Sequence, residues 1–298
     1  MNVACCEFVD SSEARELLLQ ADPFLLHLSK ADLAFRTAKR DAVLDDYRFL
    51  VGKSVRDWTD PERGKVGRCF ASAVDALGDL AGLLVSTVKF LKCDGGEEPG
   101  NAYCRGSDSL VLHERALARI DDRLSRLIAH ELFHLVSRNH PGLRECLYGL
   151  VGFHRSDELR PRKEIGDSII TNPDAPVIDY YFDALVRGRR ARVYPILMAD
   201  EGSSFDHESL TLRFFDPEVE RLLRVEDLEN FSDAVGGNTD YIIHPEEIIA
   251  ENVTKLAYGE ELKDEWLIRG IEREIGRYLD GQPRRSREVP RREGFGDS

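Results

Sequence analysis

The sequence predicts an α+β fold, and three observations carry that expectation. Apolar residues recur at three- and four-residue intervals in several long segments, as amphipathic helices require. At 85–113 the texture changes to short β-branched runs separated by the turn-rich connector DGGEEPGN. At 298 residues the chain can bury a sizeable core, as one large domain or as two closely packed halves.

Taken in order, residues 1–84 read as a helical lead-in. Residues 11–40 are mostly helical, opened by a capping signal near Ser11 and Ser12 and broken at Pro23. A second helix is expected over 62–84, where Val66, Phe70, Val74, Leu77, Leu80 and Leu84 share a face. Residues 85–140 hold a sheet and one central helix: VSTVKFLKC and AYCRGSDSLVLHE read as strands, and 116–138 as a helix with Leu124, Ile128 and Leu135 on its apolar side. Between 147 and 229, strand-like pieces (VIDYYFDALV, ARVYPILMAD, SLTLRFFD) alternate with Gly, Pro and Asp, and their pairing cannot be read from periodicity. Helices follow at 245–258 and 262–279, the first with Pro245 at its first position and Glu246 and Glu247 in its first turn, where the helix dipole favours acids. These belong to a C-terminal half, 141–281, followed by a basic, unpatterned tail, 282–298, expected to be mobile.

Composition excludes several functions. A net charge of −14 argues against nucleic acid as a partner, because phosphate binding needs clustered cations. The longest apolar run, AGLLVSTV, is too short to span a bilayer, so no membrane partner is expected. The first residues lack a basic segment followed by a long apolar run, which points to a cytoplasmic protein. The six cysteines form no Cys-x-x-Cys pair, and Cys5 and Cys6 read as part of a flexible terminus.

The chemistry concentrates in IAHELFHLVSRNH, Ile128 to His140. On a helix, His130 and His134 lie four apart on one face and can offer two imidazoles to one ion, with Glu131 beside it. That pattern suits a zinc ion with an open coordination position, whose bound water Glu131 would deprotonate as general base. Two third ligands are open. His140 has the spacing of the metzincin pattern HExxHxxGxxH, but Ser137 stands where that pattern has the glycine that turns the chain back. Glu247 lies on a separate helix, with Glu251 on the same face to receive a proton from a ligand histidine.

His130, Glu131, His134 and the spacing Glu247–Ala250–Glu251 resemble the gluzincin zinc metallopeptidases. Asn101-Ala102-Tyr103 adds to the likeness, because thermolysin carries an Asn-Ala-aromatic segment on the edge strand that meets its substrate. The resemblance covers about 50 residues, 101–139 and 241–256. It implies a zincin-like mixed sheet over the active-site helix, a mainly helical C-terminal half donating Glu247, one zinc ion, and a peptide or protein substrate held along Asn101 and Ala102. A hydroxyl or imidazole should face the oxyanion: Tyr241 is the first choice, with His244, Tyr180, Tyr181, His154 and His207 as others. The other expectations are a metzincin-like peptidase using His140, a silent binding module on the same fold, and a hydrolase of non-peptide amides.

Overall fold

A computed structural model describes residues 4–199 and 210–281. Strand β1 (Cys5–Phe8) precedes four short helices, α1 (Ser11–Leu19), α2 (Pro23–His27), α3 (Lys30–Thr37) and α4 (Leu44–Ser54). Each start has a chemical cause. The Asp10 carboxylate accepts from the amides of Ser12 and Glu13, Asp22 accepts from Leu25, and Ser29 with Asp32 forms a reciprocal capping box. Pro23 therefore begins a helix as well as ending one, since a proline at the first position has no amide to waste. After β2 (Val55–Arg56), helix α5 (Asp60–Leu77) begins at a Thr59–Glu62 capping box and runs into a 3₁₀ turn, Gly78–Leu83.

The central layer is a mixed sheet. Strands β3 (Thr87–Cys93), β4 (Ala102–Arg105) and β5 (Ser109–His113) assemble with β1 in the order β1-β3-β5-β4, with β2 paired to the far end of β3. β1, β3 and β5 are parallel; β4 runs antiparallel to β5 and forms the edge. Cys5 and Cys6 are therefore not a flexible terminus. They lie in a strand registered against Thr87 and Val88, which Phe8 anchors by packing on Trp58 and Phe90.

β5 is buried along its whole length because the sheet is covered on both sides. Phe90, Leu110 and Leu112 pack into one core with Phe70 of α5 and with Ile128, Leu132 and Val136 of the helix beneath, α7 (Asp121–Asn139), which follows the single turn α6 (Glu114–Leu117). Leu91, Tyr103 and Val111 face the other way, onto Leu18, Phe24, Tyr47 and Val51 of the lead-in helices. Alternate residues of the same strands thus serve two cores, as the two-residue period of a strand dictates.

The C-terminal half departs from expectation. After α8 (Pro141–Leu150) the strands β6 (Phe153–Arg155), β7 (Ile169–Ile170), β8 (Tyr180–Val186), β9 (Arg189–Ala199), β10 (Leu210–Asp216) and β11 (Arg221–Leu223) form a second, antiparallel sheet in the order β11-β10-β9-β8-β6, with β7 also on β9 and the single-turn helix α9 (Lys163–Gly166) between β6 and β7. The three strand-like pieces of the sequence are β8, β9 and β10, but the half as a whole is not mainly helical. Phe153, Phe182 and Phe214 stack around Phe231 of α10 (Phe231–Val235), so a run of inward aromatics closes this sheet onto the main core. Helices α11 (Pro245–Ala257) and α12 (Glu265–Leu279) follow as predicted. The basic tail, 282–298, and His207 lie outside the described residues. Among those described, no helix is long and apolar enough to cross a membrane.

Candidate metal centre

Two helices build the site. α7 starts with Asp121 and Asp122 in its first turn and buries His130, Glu131 and His134 at mid-length. α11 starts at His244, whose Nδ1 accepts the Glu246 amide at 3.1 Å, and brings Glu246 and Glu247 into the interior in its first turn. Ile248, Ile249 and Val253 of α11 share the core with Leu124 and Ile128 of α7, and this contact sets the two helices' phases.

The result is a convergent group. Glu247 Oε2 lies 3.2 Å from His130 Nε2 and 3.5 Å from His134 Nε2, and one ligand atom from each of the three lies within 4.8 Å of the others. Ligands at about 2.0–2.1 Å on a tetrahedron stand roughly 3.3 Å apart, so the two separations from Glu247 match the edges of a zinc site. The outer nitrogens are also engaged. His134 Nδ1 is 2.8 Å from Glu246 Oε1, and His130 Nδ1 is 3.3 Å from Glu251 Oε1. Glu246 can hold a proton on His134 Nδ1, whereas His130 Nδ1 and Glu251 approach as an ion pair without a hydrogen bond, and an ion at the centre would take the place of the protons on the two Nε2 atoms that face Glu247.

Glu246 was not marked by the sequence, yet it is the most heavily bonded acid here. It accepts from His134, from Ser137 Oγ at 2.7 Å and from the Tyr148 hydroxyl. Ser137, the residue in place of the metzincin glycine, thus stays helical and helps hold a carboxylate. His140 is not part of the group. It ends α7, with Nδ1 3.1 Å from the Tyr278 hydroxyl and Nε2 2.9 Å from the Leu83 carbonyl, so both ring nitrogens are committed elsewhere.

Asn172 and Asp174 also enter the site, from a segment whose sequence reads as turn chemistry alone. The turn is real, with the Asp174 amide on Asn172 Oδ1 at 2.9 Å, but Asn172 Nδ2 also donates to Glu247 Oε1 at 2.9 Å. Asp174 Oδ1 accepts the Cys104 amide at 2.8 Å, and its carboxylate groups with Cys104 and Glu131.

Electrostatics follow from this crowding. Burial lowers the pKa of His130, but hydrogen bonds to Glu247 and Glu251 outweigh it and bring the value up to about 9; His134 is held well above its usual value by Asp174, Glu247 and Glu246, again against burial. Burial would raise Glu247, yet the two imidazoles hold it well below the ordinary carboxylate range. Glu131 is pushed up to about 8 by burial, with the negative charge of Asp174 adding to it. The group is arranged around positive charge at its centre.

A cleft of about 440 Å³ opens over these side chains. Asn101 and Ala102 line one wall. The His113 amide donates to the Asn101 carbonyl, so antiparallel alternation turns the main-chain groups of Ala102 and Cys104 to the open edge of β4; the Cys104 amide is taken by Asp174. Tyr241 lines the cleft too, and burial with the nearby Glu247, Asp174 and Glu131 keeps its hydroxyl well above its usual pKa, hence a donor. His244 is half-buried in its capping role, with desolvation lowering it to about 4. Tyr180, Tyr181 and His154 belong to the second sheet, away from this lining.

No protein-family model, curated protein or solved structure matches the chain. Its function is therefore read from the chemistry of the site.

Proposed function

We propose that the chain is a zinc-dependent metallopeptidase of the gluzincin type, with His130, His134 and Glu247 as ligands and Glu131 as general base. The observation that carries this reading is the approach of Glu247 Oε2 to His130 Nε2 at 3.2 Å and to His134 Nε2 at 3.5 Å, with Glu246 bonded to His134 Nδ1 and Glu251 beside His130 Nδ1. A zinc ion held there supplies a Lewis acid that makes water acidic near neutrality and polarises a carbonyl. Glu131, one residue from a ligand and lining the cleft, is positioned to take a proton from water and return it to the leaving amine. The open main-chain groups of Ala102 can pair with an extended peptide, and the Tyr241 hydroxyl can donate to a developing oxyanion.

The test is metal content and turnover in the full chain. Zinc at about one per chain is expected in the wild type and in Glu131→Gln, with turnover of a peptide library falling by roughly 10²–10⁴ in that variant. Glu247→Ala should lose the zinc, while His140→Ala should keep it. Retention of zinc by Glu247→Ala, or undiminished cleavage by Glu131→Gln, would overturn the assignment.

A further inference from the structure

The cleft continues along the N-terminal half of α7, where its wall changes sign. Arg119, Arg123 and Arg126 line this arm. Arg126 lies one helical turn before His130 and Arg123 about two turns before it, so both face the side that carries the histidines. Arg126 is neutralised by an ion pair with Glu260 and sits over the Tyr258 ring at 5.8 Å. Arg119 and Arg123 make no ion pair among the described residues, Asp122 beside them included; Asp121 faces Lys65 and Arg68, and Glu114 faces Lys92. Among the acids that line the cleft, Glu98 is paired with Arg36, and Glu247 and Glu251 lie against the imidazoles. In a chain of net charge −14, half-buried Arg119 and exposed Arg123 thus line, without an ion pair, the cleft that holds the metal-capable group.

We propose that this arm binds a carboxylate of the substrate, supplied by an acidic side chain or by the peptide's own terminus. The inference rests on the peptidase reading for the peptide and adds the position and charge of the group recognised. Arg123 is seven residues from His130, which is about 10 Å along the helix axis. An extended peptide advances roughly 3.3 Å per residue, so the carboxylate sits about three residues from the bond that is cut. A guanidinium fork fits a carboxylate oxygen for oxygen, which gives the arm a geometric preference as well as a sign.

The experiment uses the full chain as zinc-loaded Glu131→Gln, so that binding is read without turnover. End-blocked peptides with an apolar centre carry Asp at two, three or four residues to either side, each matched by an Asn peptide. A second set compares free-acid with amidated C-termini. Asp is expected to bind about tenfold tighter than Asn at one position, the size of one charge-assisted hydrogen bond, with a free terminus giving the gain instead if that is the source. Adding Arg119→Gln and Arg123→Gln should bring the ratio close to one, with zinc content and circular dichroism unchanged. Equal binding of charged and neutral peptides, a ratio that survives the double substitution, or no binding by any peptide overturns the inference. Wild-type turnover on the same peptides is scored separately: bound but uncut peptides remove the peptidase reading and leave the carboxylate site standing.

Discussion

At the residue scale, the carboxylates behind the imidazoles are the sharpest point of test. Glu246 bonds His134, Ser137 and Tyr148 at once, so Glu246→Gln keeps the shape but removes the charge that holds the proton on Nδ1. Zinc affinity should fall roughly 10–100-fold, measured by chelator competition, with the fold intact. Protons compete with metal for the same nitrogens. His130 lies at about 9 and His134 above its usual value in the metal-free protein, so both imidazoles carry protons at neutral pH. Zinc binding must displace those protons, and affinity should therefore weaken in acid and strengthen as pH rises towards 9. Calorimetry in buffers of differing ionisation enthalpy should record proton release; no release would refute it. His130, Glu131 and His134 were legible because a four-residue spacing on one helix is local information. Glu246 was not, because adjacent glutamates differ by about 100° around α11 and only the packing against α7 says which faces which histidine. Asn172 and Asp174 escaped for a related reason: an Asx turn explains such residues fully until a distant helix is laid beside them.

At the element scale, α3 ties two walls of the cleft together through one buried arginine. Arg36 donates Nε to Glu98 at 2.6 Å and Nη2 to the Thr171 carbonyl at 2.8 Å, and pairs with Asp32, which in turn accepts the Thr171 amide at 2.8 Å. Glu98 leads into the edge strand β4, and Thr171 precedes Asn172 on Glu247, so the lead-in helices hold the site from behind and do not block it. Arg36→Leu would leave two carboxylates buried without their counter-charge, at a cost of about 3–5 kcal/mol. Urea unfolding should show that loss, and a change under 1 kcal/mol would mean that the network is solvated. The helix start at residue 11 could be read ahead of the structure because caps are written within four residues, although Asp10 supplies the cap and not Ser11 or Ser12. The β8–β9 hairpin turns on Arg187-Gly188 alone, a local signal that periodicity does not read, while the closure of the sheet depends on aromatics such as Phe231 that arrive from outside it.

At the scale of the molecule, the proposed ligand set spans the chain. His130 and His134 belong to the helix under the first sheet and Glu247 to a helix that follows the second, so a bound ion joins segments more than a hundred residues apart. A ligand that binds only the folded chain stabilises it by about 4 kcal/mol when its free concentration is a thousand times its dissociation constant. For a chain of this size that corresponds to a rise in midpoint of roughly 6 °C. Removing zinc from the wild type should lower the melting midpoint by that order and restoring it should reverse the change. Glu247→Ala should melt at one temperature with or without zinc, because the third corner is gone. Hydrogen exchange locates the effect: the first turn of α11 and the middle of α7 should lose protection without metal, whereas β3 and β5, buried between two helical layers, should keep theirs. An equal loss of protection across both sheets would mean that the ion supports the whole core and not the joint between α7 and α11.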